Sequence, residues 1–319
     1  MIKLSLKNVS ISILILFTIF TIIIFSNLFI LNRESQCLQS YVEHQTLINS
    51  IRKSTRTITN VNHDVNHLAI LIPFRERFNQ LLQFIPHINS FLNRQNISHE
   101  FFVINQIDNY RFNRGALINI GFQLAQNSCT YIVMHDVDLL PLNDQLSYGF
   151  PARGPFHVSS PDLHPKYHYE TYVGGILLMT NEHFKLVNGF STNYFGWGLE
   201  DDEFYARLKE ANLQIYRPEN IKTNQSNTFI HIHDQNIYKR DTAKLFNQKE
   251  ITRRRDRQTG LNTTKFNLLT IYNMTIENIE FRIFNVAIYC NVDRTPWCLK
   301  PSSSSSIKFK KQQQPKNRR

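Results

Sequence analysis

A regular alternation of apolar runs and apolar stripes predicts the secondary structure of the first part of the globular region. Three short, β-rich runs, residues 68–73, 101–104 and 131–134, have the length and composition of buried strands. Between them, apolar side chains recur every three or four positions in residues 78–91 and again in residues 116–125, which is the spacing of amphipathic helices. The order strand–helix–strand–helix–strand predicts an α/β fold with a parallel sheet and right-handed crossovers.

Each predicted strand is followed by side chains that can bind a charged ligand. Arg75 and Arg77 follow the first strand, residues 105–108 (NQID) follow the second, and Asp136 and Asp138 follow the third. Ligands of open α/β sheets bind at the carboxyl ends of the strands. Two carboxylates separated by one residue offer the hard oxygen ligands that suit Mn²⁺ or Mg²⁺ bridging a diphosphate.

The sequence has neither a dinucleotide-binding glycine fingerprint nor a Walker motif. The negative charge of a bound phosphate would therefore have to be balanced by arginines and a metal ion. Arg75, Arg77 and Arg114 are the candidates, since the guanidinium fork matches phosphate oxygens. Surface ion pairing is the alternative for each of them.

Four consecutive acids follow an aromatic and glycine-rich turn in residues 195–203 (FGWGLEDDE). Like charges at this density repel, so they indicate a group that binds a ligand or removes a proton from one bound beside Trp197. The alternative is a helix N-terminus, where acids complement the helix dipole. Residues 204–208 have a helical composition, so both interpretations can hold together.

His231 and His233 alternate within residues 228–234 (TFIHIHD), which predict a strand. Alternation on a strand points both imidazoles to one face, and such a pair can chelate a metal. The alternative is a polar strand face with two ordinary histidines. Because Asp136 and Asp138 are available to bind the same ion, the metal-site interpretation is favoured over the ordinary histidines.

Residues 9–31 form an uncharged and almost wholly apolar run, long enough to span a hydrocarbon core of about 30 Å. No small-residue cleavage pattern follows this run, and Lys3 and Lys7 precede it, so we expect a membrane anchor with a cytoplasmic N-terminus. The expected organisation is a cytoplasmic tail (1–8), a transmembrane anchor (9–31), a stem (32–66), a luminal catalytic domain (67–299) and a low-complexity basic tail (300–319).

Glycosylation triplets and cysteines agree with a luminal position. The acceptor asparagines are Asn96, Asn224, Asn262 and Asn273. Of the four cysteines, Cys290 and Cys298 flank a short loop that a disulfide can close, whereas Cys129 precedes a strand as a core residue would.

The formal net charge of +11 does not indicate a nucleic-acid partner, because six of the positive charges lie in residues 308–319 without an acid among them. That tail follows a serine run and has a composition that cannot form a core. The other basic cluster, residues 253–257, is predicted to be a solvated helix face, with a contact to an anionic substrate as the alternative.

Six ordered motifs resemble those of the β-1,4-galactosyltransferases, and together they span about residues 68–266. They are residues 73–77 (PFRER), 112–115 (FNRG), 136–138 (DVD), 172–175 (YVGG), 196–202 (GWGLEDD) and 231–233 (HIH). Residues 167–172 (YHYETY), 231–233 and 260–263 (GLNT) resemble the branch of the family that acts on xylose. Leu199 departs from the family, which has arginine or glycine at this position.

The resemblance implies a GT-A glycosyltransferase fold with a Rossmann-like nucleotide-sugar half, behind the transmembrane helix. It implies a Golgi enzyme that transfers galactose from UDP-galactose, with inversion, to the 4-hydroxyl of β-linked xylose on proteoglycan core proteins. Asp201 matches the catalytic base. Asp138, His231 and His233 match the ligands of Mn²⁺, which acts as a Lewis acid on the leaving diphosphate.

The resemblance also assigns substrate contacts, and the glycines around Trp197 indicate a loop that closes on the donor. The UDP-galactose positions are Pro73, Phe74, Arg75, Arg77, Phe112, Asn113, Arg114, Asp136, Val137, Tyr167, Trp197 and Arg240. The acceptor positions are Tyr169, Tyr172, Trp197, Gly198, Leu199, Glu200, Asp201 and Asp202. Two alternatives remain open at this point: the same fold acting on N-acetylglucosamine, and a non-catalytic membrane lectin.

Overall fold

A parallel three-stranded unit forms the centre of the sheet in the computed structural model, which describes residues 66–221 and 225–300. Its elements are β1 (His67–Phe74), α1 (Phe78–Arg94), β2 (Ser98–Gln106), α2 (Arg114–Ala125) and β3 (Tyr131–His135). β1 lies between β2 and β3 and pairs in parallel with both. The predicted order of strands and helices is therefore confirmed.

Burial on both faces explains why these strands appear as continuous apolar runs. Every residue of β1 after His67 is buried, and so is the whole of β3. On α1, the predicted stripe packs into the core, except that Phe78 and Leu82 are 44% and 41% exposed. On α2, Gly121 allows close packing, since a Cβ there would lie 3.2 Å from side-chain carbons of both Leu71 and Ile104.

Four further strands extend the sheet to the order β5-β6-β3-β1-β2-β9-β8. They are β5 (Phe156–His157), β6 (Ile176–Thr180), β8 (Phe266–Ile276) and β9 (Ile279–Ile288). β6 runs antiparallel to β3, and β9 runs parallel to β2. The β8–β9 hairpin was not predicted from the sequence, because its two-residue turn uses Glu277 and Asn278 at positive φ (48° and 64°) rather than a glycine.

A separate two-stranded sheet, several helices and two 3₁₀ turns complete the described part of the chain. The small sheet pairs β4 (Leu139–Pro141) with β7 (Phe229–His231) in antiparallel register. The remaining helices are α3 (Asn181–Leu186), α4 (Glu200–Glu210), α5 (Gln225–Thr228) and α6 (Gln248–Ile251), with 3₁₀ turns at Leu261–Thr263 and Pro296–Cys298. Residues 253–257, predicted to be a helix face, instead follow α6 as turn and loop.

The Cys290–Cys298 disulfide is present, with an S–S distance of 1.99 Å, and Cys129 is a buried free thiol, as predicted. Among the residues that the structure describes, no helix is both long and apolar enough to cross a membrane. The predicted anchor and Cys37 lie outside the described residues, as do almost all of the predicted stem and C-terminal tail.

Candidate active site

One arginine joins the two acidic motifs that the sequence singled out. Arg114, the first residue of α2, donates from Nε to Asp136 Oδ1 (2.8 Å) and from Nη1 to Asp201 Oδ1 (2.9 Å). Asp136 directly follows β3, and Asp201 lies in the first turn of α4. The fold thus brings a strand end and a helix N-terminus together at one side of the sheet.

The Asp201 carboxyl is poised to exchange a proton. Burial raises the pKa of this group, the Arg114 guanidinium lowers it, and the carboxyls of Glu200 and Asp136 raise it further, with a net pKa of about 8. Gly174 leaves the space that this side chain occupies, because a Cβ at that position would lie 2.3 Å from Asp201 Oδ2. A carboxyl with these properties suits a general base that works near neutral pH.

The four acids of α4 have different surroundings. The carboxylate of Glu203 is buried and ion-paired to Arg207 (2.8 Å) and Arg255 (2.6 Å), so it stabilises the fold. Burial raises the pKa of Asp202, and the neighbouring Tyr169 hydroxyl lowers it. Glu200 is 9% exposed, burial raises its pKa, and its Oε2 has no hydrogen-bond partner within the described protein.

The predicted metal ligands approach one another through the small sheet. The register of β4 and β7 places His231 opposite Leu139, next to Asp138, although the two segments are far apart in sequence. His233 Nδ1 lies 3.1 Å from Asp138 Oδ2. His233 follows the end of β7, so the pair does not share one continuous strand as predicted, and the two ring centroids are 5.7 Å apart.

The residues present fit a divalent ion. Burial lowers the pKa of both His231 and His233, which favours the neutral imidazoles that bind metals. His233 Nε2 is buried without a hydrogen-bond partner in the described residues. His231 Nδ1 lies 3.0 Å from Lys166 Nζ.

A different trio brings three potential metal-ligand atoms close together within the described ranges. Ligand atoms of His67, Glu100 and Cys129 lie within 4.8 Å of one another, at the opposite ends of the strands from Asp201. Glu100 is ion-paired with Arg282, and burial raises the pKa of Cys129 to about 12, so the thiol stays protonated. This cluster is separate from the candidate active site.

The two arginines that follow β1 differ in how much of the guanidinium is free. Arg75 donates to the backbone carbonyls of Gln106 (3.0 Å), Asp108 (3.0 Å) and Tyr110 (2.8 Å), and so fixes the loop after β2. Arg77 Nη1 lies 3.0 Å from His233 Nδ1, and its guanidinium covers the Tyr238 ring at 4.0 Å. Arg77 therefore borders the predicted metal position directly.

Other predicted donor contacts lie around the same strand ends. Pro73 and Phe74 end β1, and Val137 is buried between the two aspartates. Phe112 is half-buried and its carbonyl accepts from Gly196 N (2.9 Å). Asn113 is fully buried as the N-cap of α2, accepting from Ala116 N at 2.9 Å.

Aromatic side chains form a platform beside Asp201. Trp197 and Tyr169 are each 44% exposed, whereas Tyr172 is 5% exposed and lies beneath, 5.1 Å from Tyr167 and 5.5 Å from Tyr169 by ring centroids. The Arg240 guanidinium lies 4.9 Å from the Trp197 ring and 5.8 Å from the Tyr167 ring. The surface available to a sugar is therefore built mainly from Trp197 and Tyr169.

Backbone conformation sets the position of Trp197. Gly196, Gly198 and Leu199 all have positive φ, of 79°, 97° and 77°. Leu199 is the residue at which this conformation is unfavourable, since it carries a Cβ. It also stands directly before α4 and is 36% exposed at the edge of the platform.

Arg111 is a residue of this region that sequence reasoning missed. Its buried side chain binds both oxygens of Asp241 (2.6 and 2.9 Å), Gln248 Oε1 (3.0 Å) and the backbone carbonyls of Ala243 and Trp297. The Asp241 carbonyl in turn accepts from Trp197 N at 2.7 Å. Arg111 thus supports the Trp197 turn, but its partners lie too far along the chain for a local pattern to reveal them.

His164 is a second such residue. It is 2% exposed, and its Nδ1 accepts from the backbone N–H groups of Lys166 (2.9 Å) and Tyr167 (3.0 Å). Burial lowers the pKa of His164 to about 3, which keeps the imidazole neutral and able to accept. This histidine fixes the start of the tyrosine-rich loop.

Comparison with known proteins identifies two family regions along the chain. The family described as the N-terminal region of glycosyl transferase group 7 matches residues 28–151, and the one described as the N-terminal domain of galactosyltransferase matches residues 154–233. A crystal structure of mutant Drosophila β-1,4-galactosyltransferase 7, in complex with manganese, UDP-Gal and xylobiose, superposes with a TM-score of 0.73 at 54% identity. That match covers 74% of this chain and 99% of the crystallised one.

Relatives in animals agree with this match. β-1,4-galactosyltransferase 7 of Drosophila melanogaster is 55% identical, over 73% of this chain and 73% of its own length. The Homo sapiens protein of that name is 51% identical over 73% of this chain and 71% of its own. Xylosylprotein 4-beta-galactosyltransferase of Caenorhabditis elegans is 44% identical over 72% and 81%. With its mixed α/β fold and its ordered motifs, the chain belongs to the β-1,4-galactosyltransferase family.

Proposed function

We propose that this protein transfers galactose from UDP-galactose to the 4-hydroxyl of β-linked xylose on proteoglycan core proteins, with inversion and with Mn²⁺. The observation that carries the proposal is the Asp201 carboxyl, partly buried and held by Arg114 beside the exposed rings of Trp197 and Tyr169. A carboxylate beside an aromatic platform matches a base that deprotonates a sugar hydroxyl.

The acceptor side of the mechanism uses residues on α4 and the tyrosine loop. A sugar stacked on Trp197 and Tyr169 brings its hydroxyl toward Asp201, which removes the proton as the oxygen attacks the anomeric carbon from the face opposite UDP. Arg114 keeps the Asp201 carboxyl oriented and favours its ionised form. Displacement from the opposite face inverts the anomeric configuration.

The donor side uses residues at the ends of β1 and β3. Arg77 and Arg240 provide positive charge around the predicted diphosphate position. Asp138, His231 and His233 would hold Mn²⁺, and their carboxylate and neutral imidazole donors suit that ion. When bound, the ion supplies Lewis-acid stabilisation of the charge on the leaving diphosphate. The fold is proposed to be of the GT-A type.

The xylose acceptor is supported by the relatives. Those named β-1,4-galactosyltransferase 7 or xylosylprotein 4-beta-galactosyltransferase are 44–55% identical to this chain, whereas those named β-1,4-galactosyltransferase 4 are 31–33% identical. The crystallised relative was bound to xylobiose, a xylose disaccharide. Xylose lacks an exocyclic hydroxymethyl group, so a platform closed by aromatic rings can accept it and exclude hexoses by steric clash.

An acceptor panel tests this proposal. We expect Mn²⁺-dependent release of UDP from UDP-galactose with a simple β-xyloside, and little with N-acetylglucosamine or glucose acceptors. Comparable kcat/KM for xylose and N-acetylglucosamine would defeat the xylose assignment and support the other acceptor class. No turnover with any acceptor would support a lectin instead.

The role of Asp201 is tested within the same assay. We expect Asp201→Asn to lower kcat by at least about 10²–10⁴-fold, the usual contribution of positioned proton transfer, while UDP-galactose still binds. Asp293→Asn, an exposed position, serves as the control. Turnover close to that of the unmodified enzyme would remove Asp201 from this role.

We also propose a Golgi membrane location, with residues 9–31 as a single anchor and the catalytic domain in the lumen. The apolar, uncharged run and the two preceding lysines support it. Protease protection of the catalytic domain in intact microsomes is the expected result, and digestion without detergent would contradict it.

A further inference from the structure

A groove of about 270 Å³ lies next to the acceptor platform, and no part of the proposed reaction uses it. Its lining includes Glu170, Tyr205, Lys209, Leu213, Ile215 and Arg217. Glu170 directly follows Tyr169 in the acceptor loop. Tyr205 lies four residues after Asp201 on α4, which puts the two residues on the same side of the helix. The groove therefore continues outward from the position proposed for xylose.

Positive charge predominates in the lining of this groove. Lys209 and Arg217 stand against the single carboxylate of Glu170. The guanidinium of Arg153 lies nearby, 4.2 Å from the ring of Tyr216, whose chain neighbours are Ile215 and Arg217. Lys209 is exposed and forms no ion pair with a carboxylate of the described residues.

Arg217 also has an unused donor. One terminal nitrogen donates to the Glu170 backbone carbonyl, which ties the groove to the acceptor loop. Its Nε, in contrast, is buried and has no hydrogen-bond partner in the described part of the chain. A buried guanidinium nitrogen without a partner is costly, so a turn of the Arg217 side chain toward an acceptor group in the groove would relieve that cost.

We propose that this groove binds the polypeptide that carries the xylose, and that it favours acidic residues beside the xylosylated position. The inference rests on the proposed function, because it takes the Trp197 and Tyr169 platform as the xylose site. A peptide that leaves the platform past Tyr169 meets Lys209 and Arg217 next. Aspartate or glutamate side chains there would pair with both cations.

Turnover with three acceptors tests the preference: a small uncharged β-xyloside, and xylosylated peptides with acidic or with neutral flanks. We expect kcat/KM to be about two- to fivefold higher for the acidic peptide than for the neutral one, the size of one or two exposed ion pairs. The preference should shrink as salt rises. Equal kcat/KM for the two peptides at low salt would overturn the proposal.

Charge variants give effects of opposite sign. Lys209→Glu should abolish or reverse the preference, while Glu170→Gln should increase it. Lys185→Glu is the matched control, since Lys185 is also an exposed lysine in the last turn of a helix, but at the opposite end of the sheet. Identical losses in the Lys209 and Lys185 variants would contradict a local site. The uncharged xyloside should react equally well with all three variants.

A binding measurement separates this proposal from the proposed function. Fluorescence anisotropy with the labelled acidic xylopeptide reports the groove without requiring turnover. Binding that weakens in Lys209→Glu, but not in Lys185→Glu, supports the groove even if the uncharged xyloside proves not to be a substrate. Binding that is the same in both variants overturns the groove, whether or not xylose is galactosylated.

Discussion

Opposing influences act on the carboxyl of Asp201. Burial raises its pKa and Arg114 lowers it, and the net pKa is about 8. A base must be deprotonated to accept a proton, so activity should rise with pH as Asp201 ionises. Arg114 extends that activity toward lower pH, because its charge favours the ionised form.

Removing the charge of Arg114 tests this relation. We expect Arg114→Gln to move the acidic limb of the kcat/KM profile to higher pH, by about 1–3 units, since a cation in contact with a carboxylate shifts its pKa by that amount. A pH–rate profile at saturating UDP-galactose measures the shift. A uniform loss of activity with an unmoved limb would show that Arg114 acts only on substrate binding.

Gly174 provides a steric test of the same carboxyl. A Cβ at position 174 would lie 2.3 Å from Asp201 Oδ2 and 2.7 Å from the ring of Tyr172. We expect Gly174→Ala to displace Asp201 and to lower kcat by about 10²-fold, the cost of a misplacement near 1 Å. Steady-state kinetics and thermal unfolding measure the two consequences separately.

Gly149→Ala is the matched control for Gly174→Ala. Its added Cβ would meet only the Ser147 hydroxyl, at 3.3 Å. That variant should keep its activity. If Gly174→Ala turns over like Gly149→Ala, the present position of Asp201 is not required for transfer.

At the scale of elements, the pairing of β4 with β7 controls the predicted metal site. It sets His231 beside Leu139 and brings His233 to Asp138. Because both imidazoles must be neutral to bind the ion, protonation at acidic pH should weaken binding. Burial lowers the pKa of both histidines, so this loss is expected below their ordinary titration range.

Metal titrations test these ligands. We expect Asp138→Ala and His233→Ala each to raise the Mn²⁺ concentration for half-maximal activity by at least about tenfold, since even changes to residues behind metal ligands cost 10–100-fold in affinity. His99→Ala, at the other end of β2, is the control. Titration curves that overlay the unmodified enzyme for both variants would exclude this chelate.

Different elements were predictable from sequence to different degrees. β1 and β3 were recognised because burial on both faces leaves a continuous apolar run. β8 was missed because one of its faces is largely exposed and its side chains do not alternate cleanly. The short helix α6 was missed because four residues contain too little pattern to detect.

Residues of the candidate site were predictable where neighbouring positions in the sequence form a recognisable motif. Asp136, Asp138 and the acids of α4 stand out as sequence motifs. The roles of Arg111 and His164 depend on partners that only the folded chain supplies, and an arginine that is almost fully buried has no sequence signature. The different roles of Asp201 and Glu203 likewise depend on which arginine each carboxyl contacts in the folded chain.

At the scale of the whole molecule, one residue, Arg111, contacts both the disulfide loop and the segment that holds the Trp197 turn. Arg111 donates to the carbonyls of Cys298 and Trp297 on one side and binds Asp241, beside the Trp197 turn, on the other. Trp297 is 1% exposed and its indole donates to the Asn193 carbonyl at 2.8 Å. The Cys290–Cys298 loop therefore helps to hold Arg111 in place and, through Arg111 and Asp241, the turn that carries Trp197.

Removing this disulfide should lower stability more than it alters the chemistry. Closing a loop of this length restricts the unfolded chain by about 2–3 kcal/mol. We expect Cys290→Ser with Cys298→Ser to lose about that much unfolding free energy, while kcat at low temperature changes little. Denaturant unfolding and steady-state kinetics measure the two effects. Unchanged stability would show that packing around Trp297 suffices.

The parallel pairing of β2 with β9 also has a consequence for biosynthesis. Asn105 lies opposite Asn285, 180 residues later in the chain. During synthesis, β1, β2 and β3 emerge early, but the outer edge of β2 has no partner until residues 279–288 leave the ribosome. Such an edge is a template for pairing with other chains. We therefore expect shielding of that edge during translation to influence the yield of folded enzyme.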